Sequence, residues 1–444
     1  MIDLLGLTKL VLGIWCLLKD QNRKQARALS SFSERYWFII FILLISVLAG
    51  VAWGNYRYTE ANPGGNFFIV HWVGTRALLV DGISPYSDEV ALRIQQMVYG
   101  RPALPGEHEL RVVYPLYSEL FFLPFAFISD FNVARAAWMT LLEIGLVALA
   151  FLSLRLTNWK PGVLLLTAFL LFSIFWYHGL RPLINGNMVI LVALLIAGGF
   201  LAIKTGRDEL AGGLMALSTV KPNIVVLLIA FVLLWSVSTG RWRLVAWFFI
   251  SLILLVAGAM IFIPDWPLQN LAEILRYPTY NPPGTPGQVF ATWLPGAGSK
   301  LGSGITAFLA MLLLIEWYLA RGKDFRWFLW TACLTMVASQ WIGIQTDPGN
   351  FIILFVPLTL VFAVWAERWG VRGQPVILFL MLVLFAGLWA LFLRTIVNGG
   401  QPQQSLIMFF PLPSFLLIGL YWVRWWAIRP SILLIDTLRE YENR

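Results

Sequence analysis

VILFLMLVLFAGLWALFL, residues 376–393, decides the fold class. Its eighteen consecutive positions hold no charged, amide or hydroxyl side chain. A strand of an outer-membrane barrel alternates apolar and polar residues, whereas this run is apolar on every face and approaches the roughly 20 residues with which a helix crosses a hydrocarbon core. Comparable stretches recur along the 444 residues, at 36–54, 132–154, 161–178, 185–203, 209–220, 222–238, 244–264, 302–320, 326–344, 351–367 and 406–424, and a wider run at 375–395 encloses the quoted one. Composition agrees. Hydrophobic residues make up 59% of the chain, charged residues only 12%, and mean hydropathy is +0.76, against about 25% charged residues in soluble domains. The chain reads as an all-α polytopic membrane protein with about 12 transmembrane helices. Soluble enzymes, secreted disulfide scaffolds and disordered tails are excluded.

Basic residues set the orientation. With a cytoplasmic N-terminus, 21 of the 32 lysines and arginines fall on the inner side, among them Arg155, Lys204, Arg207, Arg241, Arg243, Arg321 and Arg372, as the positive-inside rule requires. Both termini are then cytoplasmic. The formal charge of +9 is accordingly topological, and no basic cluster interleaved with aromatics suggests nucleic acid. Residues 1–35 read as a cytoplasmic interfacial helix and basic segment lying on anionic lipid, and residues 36–444 as a single transmembrane domain. Two loops dominate the outer face, 55–131 and 265–301. The run 114–128 contains Pro115, Glu119 and Pro124; counting it as a span would reverse every later loop, so it is expected to lie on or dip into the outer face. Lys221-Pro222 interrupts the apolar stretch 209–238, and a proline-broken helix marks irregular backbone at a cavity.

The first outer loop reads NPGGNFFIVHWVGTRALLVDGISPYSDEV at 62–90 and HELRVVYPLYSELFFLPFAF at 108–127. Arg76-Ala77-Leu78-Leu79, Gly82-x-x-Pro85-Tyr86, Tyr114-Pro115, Asn185-Gly186-Asn187, Ala211-Gly212 and Lys221-Pro222 follow in order over residues 55–240. In these pieces the sequence resembles glycosyltransferase family 87, a branch of the C-type membrane glycosyltransferase fold. The resemblance implies a polyprenyl-phosphate sugar donor, with mannose as the sugar, that enters from the bilayer. It also implies a first outer loop lying on the membrane and an acidic general base near the outer end of the first span. A base is chemically required, because the acceptor hydroxyl must lose its proton as the glycosyl phosphate leaves. The family's Asp-Phe pair falls near positions 67 and 68, where this chain has Phe67-Phe68 after Asn66. Three readings stay open. A nearby carboxylate, Glu60 or Asp81, supplies the base; Asn66 only positions the acceptor; or catalysis has been lost.

Each candidate also has a plainer reading. Asp81 before Gly82 fits a turn, and Glu60 fits a solvated charge. His71 suits proton transfer or a packed, hydrogen-bonded loop. Lys221, at an outer helix break, suits the donor phosphate or simple snorkelling. Arg76 is a similar, weaker phosphate candidate, and Tyr86 and Tyr114 join the substrate-binding set through the resemblance. Asn187 offers an amide to sugar hydroxyls or caps a helix. Asp347 in Gln345-Thr346-Asp347-Pro348-Gly349-Asn350 faces the same cavity or forms a turn. Glu143 and Glu316 lie inside predicted spans, where acids are functional or paired. No metal-ligand or nucleotide motif is present, Cys16 and Cys333 give no disulfide framework, and neither metal nor cofactor is expected. The expected partners are the donor, a lipid or glycan acceptor and membrane lipids. A catalytically silent binder of lipid-linked sugars is the alternative function, and a transporter is a third, disfavoured by the large outer loop and the lack of an internal repeat.

Overall fold

The computed structural model describes residues 34–281, 285–342, 347–399 and 401–429. The N-terminal interfacial segment lies outside the described residues up to residue 33. The first span, α1 (Glu34–Ala61), runs seven residues past the expected boundary at 54, so Glu60 sits on its last turn rather than in a loop. The segment expected as the first outer loop folds as α2 (Asn66–Arg76), a π-helical turn (Ala77–Asp81), α3 (Asp88–Tyr99), a 3-10 segment (Leu116–Phe121) and the short α4 (Leu123–Ala126). Ser87 caps α3 by accepting from Val90 N, and Asp88 and Glu89 suit the positive end of its dipole. Neither α4 nor the 3-10 segment is long enough to cross a membrane, as the position of Pro115, Glu119 and Pro124 anticipates.

From there the chain forms α5 (Phe131–Thr157), α6 (Val163–Phe175), α7 (Tyr177–Asn185), α8 (Val189–Lys204), α9 (Asp208–Ser218), α10 (Pro222–Ser238) and α11 (Trp242–Phe262). Then come α12 (Trp266–Arg276), α13 (Pro286–Trp293), α14 (Gly298–Leu319), α15 (Phe325–Ser339), a 3-10 segment (Pro348–Leu354), α16 (Phe355–Trp369), α17 (Gly373–Thr395) and α18 (Pro411–Ala427). The only regular strands among the described residues are Val397–Gly399 and Gln401–Gln403, an antiparallel pair.

Six helical stretches are long and apolar enough to cross a membrane, or seven when the bent pair α6 and α7 counts as one span. One of the six, Pro348–Thr395, contains both α16 and α17. The count of about 12 from hydropathy also needs α8, α9, α10 and α15, which have 16, 11, 17 and 15 residues. At 1.5 Å per residue, an 11-residue helix is only about 17 Å long, short of a core of about 30 Å. Hydropathy windows absorb the breaks between such pieces. The residues between the expected spans 161–178 and 185–203 belong to α7, which bends 42° from α6. Short, broken helices are tolerated at membrane depth where protein surrounds them, and these ones surround the site described below.

Both acids expected within spans have partners. Asn55 Nδ2 donates to Glu143 Oε2 at 2.9 Å and to Thr140 Oγ1 at 3.0 Å, which ties α1 to α5. Arg424 Nη2 meets Glu316 Oε2 at 2.8 Å, joining α18 to α14, with its guanidinium over Trp327 and Trp330. Both acids therefore read as structural pairs. Trp242, Trp422 and Trp425 remain exposed near helix ends, where an aromatic belt needs them.

Two glycines hold the helix ends beside α2 together. Gly186 closes α7 with φ +69°, and a Cβ there would come within 2.5 Å of Phe68 Cβ. Its carbonyl accepts from Trp138 Nε1 at 2.8 Å. Trp138 in turn packs against Phe68, Phe122 and Phe125. Gly65, φ +76°, has Arg135 Nε where a Cβ would be, at 2.5 Å. Gly186→Ala is expected to lower the melting temperature in detergent, because the left-handed conformation alone costs about 1–2 kcal/mol and Phe68 must also give way; an unchanged midpoint would contradict this packing. For orientation, single cysteines at Arg207 and Arg321 are expected to resist an impermeant maleimide on intact cells, whereas one at Asp88 reacts. Outside labelling of position 207 would overturn the topology.

Candidate functional site

Lys221 stands between α9 and α10, where Pro222 takes the first helical position and requires no backbone donor. Its side chain is 1% exposed. Nζ donates to Asn187 Oδ1 at 2.8 Å and lies over the rings of Phe67, 4.5 Å from the centroid, and Tyr114, 5.2 Å. Among the described residues no carboxylate lies within ion-pair distance of it. A snorkelling lysine keeps its ammonium in water; this one is enclosed. Aromatic faces and one amide oxygen compensate a buried cation only partly, since each cation–π contact is worth about 0.5–2 kcal/mol, less than the several kcal/mol of desolvation. The arrangement leaves an electrostatic demand for an anion.

Asn187 connects this ammonium to a second segment. Its Oδ1 also accepts from Val189 N at 3.0 Å, which caps the start of α8, and its Nδ2 donates to Asn350 Oδ1 at 3.3 Å. Of the two readings weighed for Asn187 from sequence, the bond to Val189 N matches the cap, and its other contacts are to protein groups. Asn350 closes the turn that begins at Asp347, with its N–H on Asp347 O at 2.8 Å. The same turn is held by His178 Nδ1, 3.0 Å from Pro348 O. Asp347 is exposed. Its Oδ1 accepts from Gly349 N and from Gln404 Nε2, while Oδ2 has no hydrogen-bond partner among the described residues. Burial is the largest influence on Lys221, Tyr114, Tyr277 and His108 and disfavours the charged form of each, and the charge of Asp347 acts on all four more weakly. Burial pushes the Tyr114 phenol well above its ordinary range. It also holds His108 below the ordinary imidazole range, against the pull of Asp347 and Glu109.

Behind the aromatic wall lies a buried pair that the sequence reading did not assemble. His71 Nδ1 is 2.7 Å from Glu119 Oε1, and Thr75 Oγ1 donates to Glu119 Oε2 at 2.6 Å. The imidazole stacks on Phe122 at 4.6 Å and 5°, and contacts Phe67 and Tyr114 at 4.9 and 5.5 Å. His71 therefore fixes the two rings that cover Lys221. Glu119 entered the sequence reading only as an obstacle to a span, although an acid in so apolar a run carries its own signal. Asn350 and Arg135 were missed as well. Arg135 is buried, with Nη1 on Asn62 O at 2.8 Å and Nη2 on Ile184 O at 3.2 Å, bridging the loop before α2 to the end of α7. An arginine one turn into a predicted span was the available signal.

The other candidates lie apart. Glu60 pairs with Arg57 at 2.9 Å on the exposed last turn of α1. Asp81 pairs with Arg93, beside an open groove of about 800 Å³ that Trp72, Arg76, Val80 and Met97 also line. None of the groups in contact with Lys221 lines that groove. Arg76 Nη1 donates to Ala126 O at 2.7 Å and its guanidinium lies over Trp72, so it ties α2 to α4. Tyr86 OH donates to Tyr114 O at 2.7 Å and so supports the Tyr114 wall from behind. Asn66 opens α2, next to Phe67. Among the described residues no group of three or more His, Cys, Asp or Glu side chains could hold a metal ion.

The family model for glycosyltransferase family 87 matches residues 113–340, just over half of the chain. The match takes in Tyr114, Glu119, Arg135, Asn187 and Lys221, and leaves Phe67 and Asp347 outside it. No curated protein and no solved structure matches the chain. With an enclosed cation between broken helices on one face of an apolar bundle and a match of that extent, the chain belongs to glycosyltransferase family 87.

Proposed function

We propose that this protein transfers a hexose, mannose by the family resemblance, from a polyprenyl-phosphate donor to a lipid or glycan acceptor at the outer face of the membrane. The observation that carries the reading is Lys221, a buried ammonium with an amide and two aromatic faces around it and, among the described residues, no carboxylate partner. A phosphodiester is the anion such a site fits, because its charge offsets the desolvation of the ammonium. As the bond from the anomeric carbon to the phosphate oxygen breaks, polyprenyl phosphate gains negative charge, and Lys221 stabilises it there. Burial of Nζ means that the cage of Phe67 and Tyr114 opens to admit the phosphate.

Asp347 is the carboxylate whose surroundings best suit the general base. It is exposed, its Oδ2 has no hydrogen-bond partner among the described residues, and Asn350 and Asn187 connect its turn to Lys221. In this scheme the acceptor oxygen bonds to the anomeric carbon, its proton passes to Asp347 Oδ2 and polyprenyl phosphate leaves. Glu60 and Asp81, each held in an ion pair away from Lys221, are weaker candidates. The alternative, a catalytically silent binder of lipid-linked sugar, draws on Phe67, which puts a ring over Lys221 where the family pattern has an acid.

Lys221→Met is expected to weaken binding of polyprenyl-phosphate hexose about tenfold or more, since a hydrogen bond to a charged group is worth roughly 1.5–3 kcal/mol. It should not lower the melting temperature, because the variant also removes a buried charge. Equal donor affinity in the variant would return Lys221 to a structural role. Asp347→Asn is expected to abolish transfer with donor binding kept, because the amide retains the shape and loses the basicity, whereas Glu60→Gln and Asp81→Asn remain active. Loss of turnover in either of the latter would move the base to that position. A wild type that binds donor but never transfers, with transfer gained in Phe67→Asp, would establish the silent reading.

A further inference from the structure

The second outer loop contains a helix whose two faces are exchanged relative to those of a helix on a water-soluble protein. On α12, Trp266, Asn270 and Glu273 are buried against the protein. Asn270 Nδ2 donates to Val113 O at 3.0 Å, and Glu273 Oε2 meets Arg111 Nε at 2.8 Å, with both side chains at least nine-tenths buried. The opposite face, Leu268, Leu271, Ala272 and Leu275, is exposed; Leu268 and Leu275 are 71% and 70% accessible. A helix facing water places its apolar stripe inward. Here polar residues make the protein contacts and leucines point away.

Position supplies the occupant. Only Ile263, Pro264 and Asp265 separate α12 from the end of α11, a 21-residue apolar helix long enough to span the membrane. Ile261 and Phe262, at that end of α11, are themselves exposed. Three residues extend about 10 Å at most, so α12 begins at the level where the span leaves the hydrocarbon. We propose that α12 is an interfacial helix whose leucine face is seated in the outer leaflet, at the boundary of headgroups and acyl chains. Arg276, at its last turn, pairs with Glu109 at 2.7 Å, and Arg111 also meets Asp88. The charged side of α12 is thus bonded to the first outer loop while the other side rests on lipid. Through Val113, the residue before Tyr114, this seat fixes one wall of the Lys221 cage at the depth of the bilayer surface. The location of the helix does not depend on whether the site transfers sugar.

The test uses the full-length protein in phosphatidylcholine–phosphatidylglycerol nanodiscs, with a single nitroxide at position 268, 271 or 275 and collision rates measured for oxygen and for a water-soluble nickel chelate. Oxygen collisions several-fold above nickel collisions at all three positions are expected. Free access of the nickel chelate to 268 and 275 would place the face in water and overturn the proposal. Protection from both reagents, with dipolar broadening between labels on two copies, would overturn it in favour of a protein partner.

Discussion

A lysine ammonium that is enclosed and, among the described residues, meets no carboxylate has to be held by weaker groups, and the loops and helix ends around it are arranged to that requirement. Asn187 must present Oδ1 to Lys221, which fixes the register of α8 through the cap on Val189. Phe67 and Tyr114 must present their faces, which fixes α2 against the extended segment before the 3-10 turn. His71, paired with Glu119, holds both rings from behind. The left-handed turn at Gly186 brings Asn187 into reach because its lack of a Cβ lets α2 approach at Phe68. Each contact is modest in energy, and together they keep a cation in a place where it is uncompensated.

That is also why parts of the site were legible in the sequence and parts were not. Lys221-Pro222 stood out because proline in an apolar run has few structural uses, and the break it forecasts is where the ammonium sits. Asn187 was found from its place after a glycine at a helix end. Tyr114 and Tyr86 came from the family pattern, which gave no hint that one hydrogen-bonds the other's carbonyl. Asp347 was recognised as a turn residue, and its second property, a turn whose backbone is tied through Asn350 and Asn187 to the lysine 126 positions earlier, depends on a contact between distant segments that local pattern cannot contain. The pairing of His71 with Glu119 belongs to the same class, with the two residues 48 positions apart.

The span count shows the limit from another side. Hydropathy is a sum over a window, and it registers the apolar content of α8, α9 and α10 without registering that each is shorter than a bilayer is thick. In a soluble fold such an error would only move a boundary. Here it hides the feature that makes a site, because short helices end inside the protein, and their ends expose backbone dipoles and side chains such as Lys221 and Asn187 to one another.

Phe67 ties these strands together. An aspartate at that position would lie beside the ammonium as a permanent counter-ion; a phenyl ring gives Lys221 a partner that a phosphate can displace without leaving a carboxylate behind. Removing the acid from position 67 therefore strengthens the case for anion binding as it weakens the case for a base there. The two effects are compatible with catalysis only if the proton goes elsewhere, and Asp347 carries the acid on the turn whose backbone is linked through Asn350 and Asn187 to the same lysine. In the proposed scheme the phosphate-binding charge and the proton acceptor stand on different segments, which keeps the two from neutralising each other before the substrate arrives.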